Sequence, residues 1–242
     1  MQSFGLIGYP LSHSFSKKYF DEKFAKEGWH DIVFNNYSIE HIDLLHEVLQ
    51  NKNLLGLAVT IPYKKSVIPL LNGVDALVRE IEACNCIKIY DGKLFGFNTD
   101  IIGFEESFVR NLLPQHKQAL ILGTGGAAAA VEFVLKKLNI KYQFVSRNTI
   151  SNALMYSDLN EEMMNENQII INTSPVGTYP NVDESPAIPY QFITPQHYLF
   201  DLIYNPAETK FLQEGKLKGA VIKNGYEMLV LQAEENWKIW NS

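Results

Sequence analysis

The chain has 242 residues, of which 46% are hydrophobic and 20% charged, and its net charge is −6 at pH 7. This composition is typical of a globular protein with one large or two modest domains. The net charge is negative, and the sequence has no run of basic residues that would bind nucleic acid. No apolar run approaches the roughly eighteen residues of a membrane-spanning helix. We therefore expect a cytoplasmic monomer or homodimer with neither nucleic-acid nor membrane partners. The two cysteines, Cys84 and Cys86, suit buried free thiols in a reducing compartment.

Short apolar strands alternate with amphipathic helices over the first hundred residues. The predicted strands are Phe4–Gly8, Ile32–Tyr37 and Leu57–Thr60, and the predicted helices are Ser16–Glu27 and Ile42–Leu49. Strands separated by helices imply parallel pairing, so this half predicts an open α/β sheet.

Two segments of this half carry candidate chemistry. Lys64 follows a buried-looking strand and Pro62, and Asp100 ends the triplet Asn98-Thr99-Asp100. Ligands bind at the carboxyl ends of strands in open α/β sheets, so a Lys64–Asp100 pair there would aim an ammonium at a reacting oxygen. The alternative is that Lys64 is simply a solvated lysine beside Lys65.

Further polar residues lie near these segments. The loop 8–16 is rich in hydroxyls, and these would suit a carboxylate or polyol clamp that donates to an anionic substrate. The alternative is that a serine of this loop caps the following helix. Asn85 is a polar point on an otherwise apolar predicted strand.

The second half repeats the strand–helix pattern after a helical connector, Ile101–Asn111. Its predicted strands are Ala119–Leu122, Tyr142–Val145, Gln168–Ile171, Tyr198–Leu202 and Ala220–Ile222. Asn205-Pro206 predicts a helix start, with Gly215 as its stop, and Tyr226–Trp240 predicts a final helix. Gln232 lies inside that apolar helix, so its amide needs a partner or a ligand.

A glycine turn connects the first strand of this half to its first helix. Gly123, Gly125 and Ala128 match the pattern G-x-G-x-x-A, between the strand Ala119–Leu122 and the helix Ala127–Leu138. Such a turn lets the backbone approach a pyrophosphate, which the helix N-terminus then binds. The pattern therefore predicts a dinucleotide site, the alternative being a tight turn that binds nothing.

The end of the next strand indicates which dinucleotide. NAD-preferring sites usually carry a carboxylate here for the ribose 2′-hydroxyl, whereas this chain has Arg147. The planar guanidinium of an arginine pairs with a 2′-phosphate, so the sequence favours NADP over NAD. The alternative is a solvated loop arginine.

Taken together, these motifs resemble the shikimate dehydrogenase family over nearly the whole chain and in the family's order. The matching segments are Gly8-Tyr-Pro-Leu-Ser-His-Ser-Phe-Ser16, Val59-Thr-Ile-Pro-Tyr-Lys64, Ala83-Cys-Asn85, Gly96-Phe-Asn-Thr-Asp100, Gly123-Thr-Gly-Gly-Ala127, Asn172-Thr-Ser-Pro-Val-Gly177, Asp201-Leu-Ile-Tyr-Asn-Pro206 and Gly225-Tyr-Glu-Met-Leu-Val-Leu-Gln232.

The resemblance implies a two-domain α/β protein with its active site in the cleft between domains. Residues 1–103 would form the substrate domain, to which 225–242 return, and 104–224 a Rossmann-like NADP-binding domain. The implied reaction is the reversible, NADPH-dependent reduction of 3-dehydroshikimate to shikimate in aromatic amino-acid biosynthesis, without a metal.

The resemblance also assigns roles by position. Lys64 would be the acid–base group, supported by Asp100. The substrate contacts would be Ser14, Ser16, Thr60, Asn85, Tyr204 and Gln232. The cofactor contacts would be Gly123, Gly125, Gly126, Ala127, Arg147, Thr173 and Gly225.

Two departures from the family are visible. Ala58 stands where asparagine is usual, and Ser151 where a second basic residue often follows Arg147. The alternatives are a quinate/shikimate dehydrogenase with broader substrate or NAD use, which Arg147 disfavours, and a non-catalytic shikimate-binding regulatory protein, which would be expected to lack Lys64 or Asp100. A methylene-folate dehydrogenase would lack the serine loop and the glutamine helix.

Overall fold

A computed structural model describes residues 1–11, 15–149 and 151–242. The chain divides into two compact units, one formed by Met1–Ile102 with Val230–Ser242 and the other by Gly103–Leu229. Each unit contains one six-stranded sheet, which confirms the predicted α/β class. In the part of the chain that the structure describes, no helix is both long and apolar enough to cross a membrane.

The first unit has a mixed sheet with the strand order β2-β1-β3-β5-β6-β4. Its strands are β1 (Gln2–Gly8), β2 (Ile32–Ser38), β3 (Leu54–Val59), β4 (Gly73–Val74), β5 (Cys86–Tyr90) and β6 (Lys93–Phe97). β1 pairs in parallel with β2 and β3, but β5 is antiparallel to both β3 and β6. The parallel pairing expected for the first three strands is thus confirmed, and β5 and β6 form an antiparallel hairpin outside that prediction. The two residues that connect them, Asp91 and Gly92, both have positive φ, as a two-residue hairpin turn requires.

The helices of this unit lie between its strands. They are α1 (Phe15–Glu27), α2 (Leu45–Val48) and α3 (Ala76–Ile81), and the unit boundaries fall within α4 (Asp100–Phe108) and α8 (Tyr226–Asn241). The helix predicted over Ile42–Leu49 is instead a 3₁₀ turn, Ile42–Leu44, followed by α2.

Two apolar clusters pack in the first unit. Leu57 and Val59 belong to one cluster, and Ala58 belongs to the other. This alternation follows from strand geometry, because successive side chains of β3 point to opposite faces of the sheet. The second cluster includes Phe4, Phe20, Phe34 and Trp240, so α8 supplies part of its packing.

Both cysteines are buried free thiols, as the sequence predicted. Burial raises the pKa of Cys84 to about 12 and that of Cys86 well above its ordinary value. Thiols that stay protonated are poor nucleophiles and poor metal ligands. Cys84 donates its S–H to the carbonyl of Cys86, 3.3 Å away.

The second unit has an all-parallel sheet with the order β12-β11-β10-β7-β8-β9. Its strands are β7 (Gln118–Leu122), β8 (Lys141–Ser146), β9 (Ala153–Met155), β10 (Ile169–Asn172), β11 (Tyr198–Asp201) and β12 (Val221–Lys223). Numbered within the unit and read from the other edge, the order is 3-2-1-4-5-6, that of a Rossmann fold. The order reverses between β7 and β10, which is where such sheets bind their ligands.

The helices here are α5 (Gly126–Lys137), α6 (Glu161–Glu166) and α7 (Lys210–Leu217). The helix start predicted at Asn205-Pro206 is wrong, because α7 begins after Thr209, whose hydroxyl accepts the Leu212 N–H as an N-cap. Gly215 does not stop this helix. It lies inside α7, where a Cβ would come within 2.5 Å of the Leu199 side chain.

Candidate functional site

Lys64 and Asp100 form an ion pair in the first unit. The Lys64 Nζ lies 2.6 Å from Asp100 Oδ2, and the two side chains are 19% and 13% exposed. Lys64 follows β3, and Asp100 is the first residue of α4, where the helix dipole favours a negative charge. The pair is thus mostly shielded from water yet still accessible, which suits proton transfer to a bound molecule.

The backbone around Lys64 is fixed from two sides. The buried Tyr63 hydroxyl donates to the carbonyl of Ile39 at 2.5 Å, and the Cys84 N–H donates to the carbonyl of Lys64 at 2.7 Å. Burial raises the pKa of the Tyr63 phenol, so the hydroxyl remains a donor. Only the long side chain of Lys64 is left to move, and Asp100 holds its tip.

Asn85 is bound to the residue that precedes Asp100. Asn85 Oδ1 accepts the backbone N–H of Thr99 at 2.7 Å, and Asn85 Nδ2 donates to Thr99 Oγ1 at 3.0 Å. The backbone N–H fixes the orientation of the amide, because only its oxygen can face that donor. The structure therefore brings Asn85 into the same neighbourhood as Asp100.

Gln232 enters this neighbourhood from α8. Its Oε1 accepts from Asn236 Nδ2 at 3.4 Å, and Asn236 Oδ1 accepts from Thr99 Oγ1 at 2.7 Å. In the sequence, Thr99 stands out only as part of the triplet Asn98-Thr99-Asp100, and Asn236 was missed. The missed signal was the spacing of Gln232 and Asn236, since polar residues four apart on a largely apolar helix share one face.

The remaining substrate candidates of this unit are Thr60 and Ser16. Thr60 follows β3, and its N–H donates to the carbonyl of Ile7. Its methyl group occupies the space that a Cβ at Gly8 would need. Ser16 is half-buried in the first turn of α1. Ser14 lies outside the described residues.

The glycine turn of the second unit requires glycine at its first position. Gly123 has φ of +112°, and a Cβ there would lie 2.9 Å from Thr173 Oγ1. Thr173 follows β10 and donates its hydroxyl to the carbonyl of Leu122 at 2.9 Å, so both sides of the switch point are tied together.

The start of α5 is open. Gly125 is the N-cap without a side-chain acceptor, and Gly126 and Ala127 begin the helix. A Cβ added at Gly125 or Gly126 would meet nothing within 4 Å. An uncapped, uncrowded helix N-terminus with its positive dipole end suits a pyrophosphate.

Arg147 is exposed immediately after β8. Burial raises the pKa of Tyr156, and the positive charge of Arg147 partly offsets this by lowering it. The preceding turn is held by Ser146, whose hydroxyl accepts the N–H of Asn148 at 3.1 Å. The strand end therefore presents an exposed guanidinium whose charge reaches Tyr156.

Gly225 lies against the segment that leads to Tyr204. Its N–H donates to the carbonyl of Ile203 at 3.0 Å, and a Cβ would come within 2.1 Å of the Leu202 carbonyl oxygen. Tyr204 itself is half-buried, and burial raises its pKa. The backbone approach thus leaves no room for a side chain at Gly225.

A fully buried carboxylate, Asp201, ends β11 and was not singled out from the sequence. It accepts the Thr209 hydroxyl at 2.6 Å, and the Ile203 N–H and Asn172 Nδ2 at 3.0 Å each. Burial raises the pKa of Asp201 from 3.8 to about 6 despite these hydrogen bonds. Asp201 and its partners hold the loop that carries Tyr204.

This raised pKa predicts a pH-dependent stability. The folded state holds the proton of Asp201 up to about pH 6, whereas the unfolded chain releases it near pH 4, so stability falls as pH rises through that window. The difference between these two pKa values of Asp201 corresponds to about 3 kcal/mol. Between about pH 4 and pH 7, the unfolding free energy of Asp201→Asn should therefore fall by about 3 kcal/mol less than that of the wild type, as measured by urea unfolding. Asp183→Asn removes an exposed carboxylate and should leave the fall in unfolding free energy as it is in the wild type. A wild-type dependence of unfolding free energy on pH in Asp201→Asn would contradict the raised pKa of Asp201.

Comparison with known proteins identifies the family. The sequence model of the shikimate dehydrogenase substrate binding domain matches residues 6–87. The shikimate dehydrogenase (NADP(+)) of Caldicellulosiruptor bescii is 34% identical over 258 aligned residues, which cover 99% of this chain and 89% of the relative. The chain belongs to the shikimate dehydrogenase family.

Solved structures of the family agree in fold. The crystal structure of shikimate dehydrogenase from Aquifex aeolicus superposes with a TM-score of 0.88 at 33% identity and covers 100% of this chain and 92% of its own. The shikimate dehydrogenase of Thermus thermophilus, solved with NADP(H) and shikimate, gives a TM-score of 0.87 at 27% identity, with 99% and 93% covered.

The structure shows the surroundings of Ala58, where the resemblance leads us to expect asparagine. Ala58 is 4% exposed and lies in the apolar cluster with Phe4, Cys86 and Trp240. An asparagine there would bring an amide into an apolar environment, so alanine suits the packing found in this chain. Ser151, the other expected departure from the family pattern, is exposed.

Proposed function

We propose that this protein catalyses the reversible, NADPH-dependent reduction of 3-dehydroshikimate to shikimate in aromatic amino-acid biosynthesis. The observation that carries the proposal is the shielded Lys64–Asp100 ion pair at 2.6 Å. Thr99, the residue before Asp100, links this segment to the amide of Asn85 and, through Asn236, to that of Gln232. A non-catalytic binding protein would have no need of a shielded ammonium held by a carboxylate.

Lys64 is the acid–base group of the reaction. In the reducing direction its ammonium donates a proton to the oxygen of the substrate carbonyl as negative charge develops there. Asp100 holds the ammonium by its Oδ2 and thereby fixes the direction of the N–H donors. In the oxidising direction the same nitrogen receives the proton from the substrate hydroxyl.

The other polar groups bind the substrate. Asn85, Gln232 and Thr60 contact the ring hydroxyls, with Asp100 beside them, and Ser14 and Ser16 hold the carboxylate. Amides and hydroxyls are suited to this task, because each can donate to or accept from a hydroxyl group. The side-chain network around Thr99 supports the proposal by fixing the amide of Asn85 before a ligand arrives.

The second unit fits an NADP cofactor. The open N-terminus of α5 with Gly123, Gly125, Gly126 and Ala127 would hold the pyrophosphate, and Arg147 the 2′-phosphate. Thr173 and Gly225 would line the same site, with Tyr204 beside the substrate and the nicotinamide. NADPH, when bound, supplies the hydride.

Arg147→Ala should reduce the preference for NADPH over NADH. Loss of a charged hydrogen-bonding partner of a phosphate costs about 1.5–3 kcal/mol, or about 10- to 100-fold in the ratio of kcat/KM values. The ratio is measured by steady-state kinetics with both cofactors. Lys141→Ala, which removes an exposed positive charge from the other end of β8, should leave the ratio unchanged. An unaltered ratio in Arg147→Ala would remove this residue as the discriminator.

A substrate panel tests the proposed function. Purified protein is assayed with shikimate and quinate, each with NADP⁺ and NAD⁺. We expect the highest kcat/KM for shikimate with NADP⁺. A preference for quinate or NAD⁺ would instead support the quinate/shikimate alternative, and saturable binding of shikimate without turnover would support a regulatory protein. The cytoplasmic location, the monomeric or dimeric state and the lack of nucleic-acid partners stay predictions.

A further inference from the structure

Asn236 is a buried amide of α8 that the proposed function does not use. Only 1% of the surface of Asn236 is exposed to solvent. Burial of an amide is costly unless its polar atoms are paired, and here both polar atoms have partners, Thr99 on one side and Gln232 on the other. Asn236 therefore joins two groups that lie far apart in the sequence.

We propose that Asn236 is a positioning residue for the reaction: it sets the orientation of two substrate-binding amides, that of Gln232 directly and that of Asn85 through Thr99. The inference rests on the proposed function, since that assigns Asn85 and Gln232 to the substrate hydroxyls. Asn236 itself need not touch the substrate.

The first step concerns the hydroxyl group of Thr99. It has a single proton and so donates one hydrogen bond, to one acceptor. Its nearest acceptor is Asn236 Oδ1 at 2.7 Å, whereas Asn85 Oδ1 lies 3.3 Å away. With the proton turned to Asn236, the hydroxyl oxygen accepts from Asn85 Nδ2 at 3.0 Å. Asn85 is then held at both ends of its amide and keeps a second N–H for a substrate hydroxyl.

The second step concerns the amide of Gln232. An amide can be turned by a half rotation, which exchanges its acceptor and its donors. Because Asn236 Oδ1 already accepts from Thr99, its Nδ2 faces Gln232 and selects the orientation in which Gln232 presents Oε1 to Asn236. The NH₂ group of Gln232 then points away from Asn236. The orientations of both binding amides are thus set by the chain of hydrogen bonds that passes through Asn236.

Asn236→Leu removes this control while keeping a side chain of similar volume. The loss of one ordinary hydrogen bond changes an equilibrium constant by about tenfold, so KM for shikimate should rise by about that factor. Because Lys64 and Asp100 are untouched, kcat should stay within a factor of about three, and KM for NADP⁺ should not change. Asn236→Asp keeps the acceptor for Thr99 and should restore part of the shikimate affinity.

Trp240→Phe is the matched control. It also removes a buried hydrogen bond of α8, from Trp240 Nε1 to the carbonyl of Ile87 at 3.0 Å, one helical turn farther along. A purely structural loss should lower the melting temperature in both variants and leave KM for shikimate unchanged in Trp240→Phe. Thr99→Val interrupts the same chain of hydrogen bonds and carries the test if Asn236→Leu does not fold.

Provided that the wild-type protein oxidises shikimate, either of two results overturns the inference and leaves the proposed function standing. One is an unchanged KM for shikimate in folded Asn236→Leu or Thr99→Val. The other is an equal rise in KM for shikimate in Trp240→Phe. If the folded wild-type protein oxidises no shikimate, the proposed function fails first and the inference fails with it. A selective rise in KM for shikimate, partly restored in Asn236→Asp, supports the inference.

Discussion

Lys64→Met should lower kcat for shikimate oxidation by about 10²- to 10⁴-fold, the usual cost of removing a positioned acid–base group. Methionine keeps an unbranched chain of similar length but has no ammonium, so Asp100 loses its partner at 2.6 Å. The lost interaction acts in the transition state, where the proton moves, so kcat should fall far more than KM rises. Steady-state kinetics with saturating NADP⁺ measures both.

Lys65→Met is the control for Lys64→Met. Lys65 is the next residue and is exposed, so its loss removes the same charge from the chain without reaching Asp100. It should leave kcat unchanged. A near-normal kcat in folded Lys64→Met, or an equal loss in Lys65→Met, would contradict the role given to Lys64.

Gly225→Ala should destabilise the second unit severely. Its Cβ would lie 2.1 Å from the carbonyl oxygen of Leu202, which belongs to the backbone and cannot swing aside as a flexible side chain can. Forcing atoms into a packed site costs about 3 kcal/mol. For a protein of this size that corresponds to a melting temperature lower by about 6 to 12 °C, measured by circular dichroism.

Gly126→Ala provides the opposite case in the same unit. A Cβ there meets nothing within 4 Å, and the residue lies in a helix, where alanine is more stable than glycine by about 0.5–1 kcal/mol. Its melting temperature should stay the same or rise. Equal melting temperatures for wild type and Gly225→Ala would show that the backbone can move aside at Leu202, against the close approach described for Gly225.

The second unit was the part of the fold most readily predicted from the sequence. Its strands are short apolar runs such as Ile169–Asn172 and Tyr198–Asp201, buried along their whole length, and each is set off by loop or helix. The glycine turn after β7 marked the switch point because only glycine suits the φ of Gly123. Local signals were sufficient there, since each of them reports a backbone requirement.

Errors arose where two local signals competed. Asn205-Pro206 looks like a helix start, but Thr209 supplies the cap four residues after Asn205. Gly215, predicted as the stop of that helix, instead lies inside α7, where packing against Leu199 requires glycine. The hairpin of β5 and β6 lay outside the predicted strands, although Asp91-Gly92 is a usable hairpin signal.

The hydrogen bond that joins Thr99 to Asn236 of α8 was beyond the reach of sequence spacing. Thr99 and Asn236 are 137 positions apart, and only the folded chain brings their side chains to 2.7 Å. The short segment that ends at Lys64 was recognisable, but its partner Asp100 was inferred only from the ends of predicted elements. Long-range polar contacts depend on tertiary packing, which no local pattern records.

One measurement tests the central claim most directly. Folded wild-type protein and Lys64→Met are each mixed with shikimate and NADP⁺, and the absorbance band of reduced nicotinamide is followed. The account predicts a rise that requires shikimate in the wild type and that is slower by at least about 10² in Lys64→Met. No rise in the wild type, or equal rates in the two proteins, would contradict it.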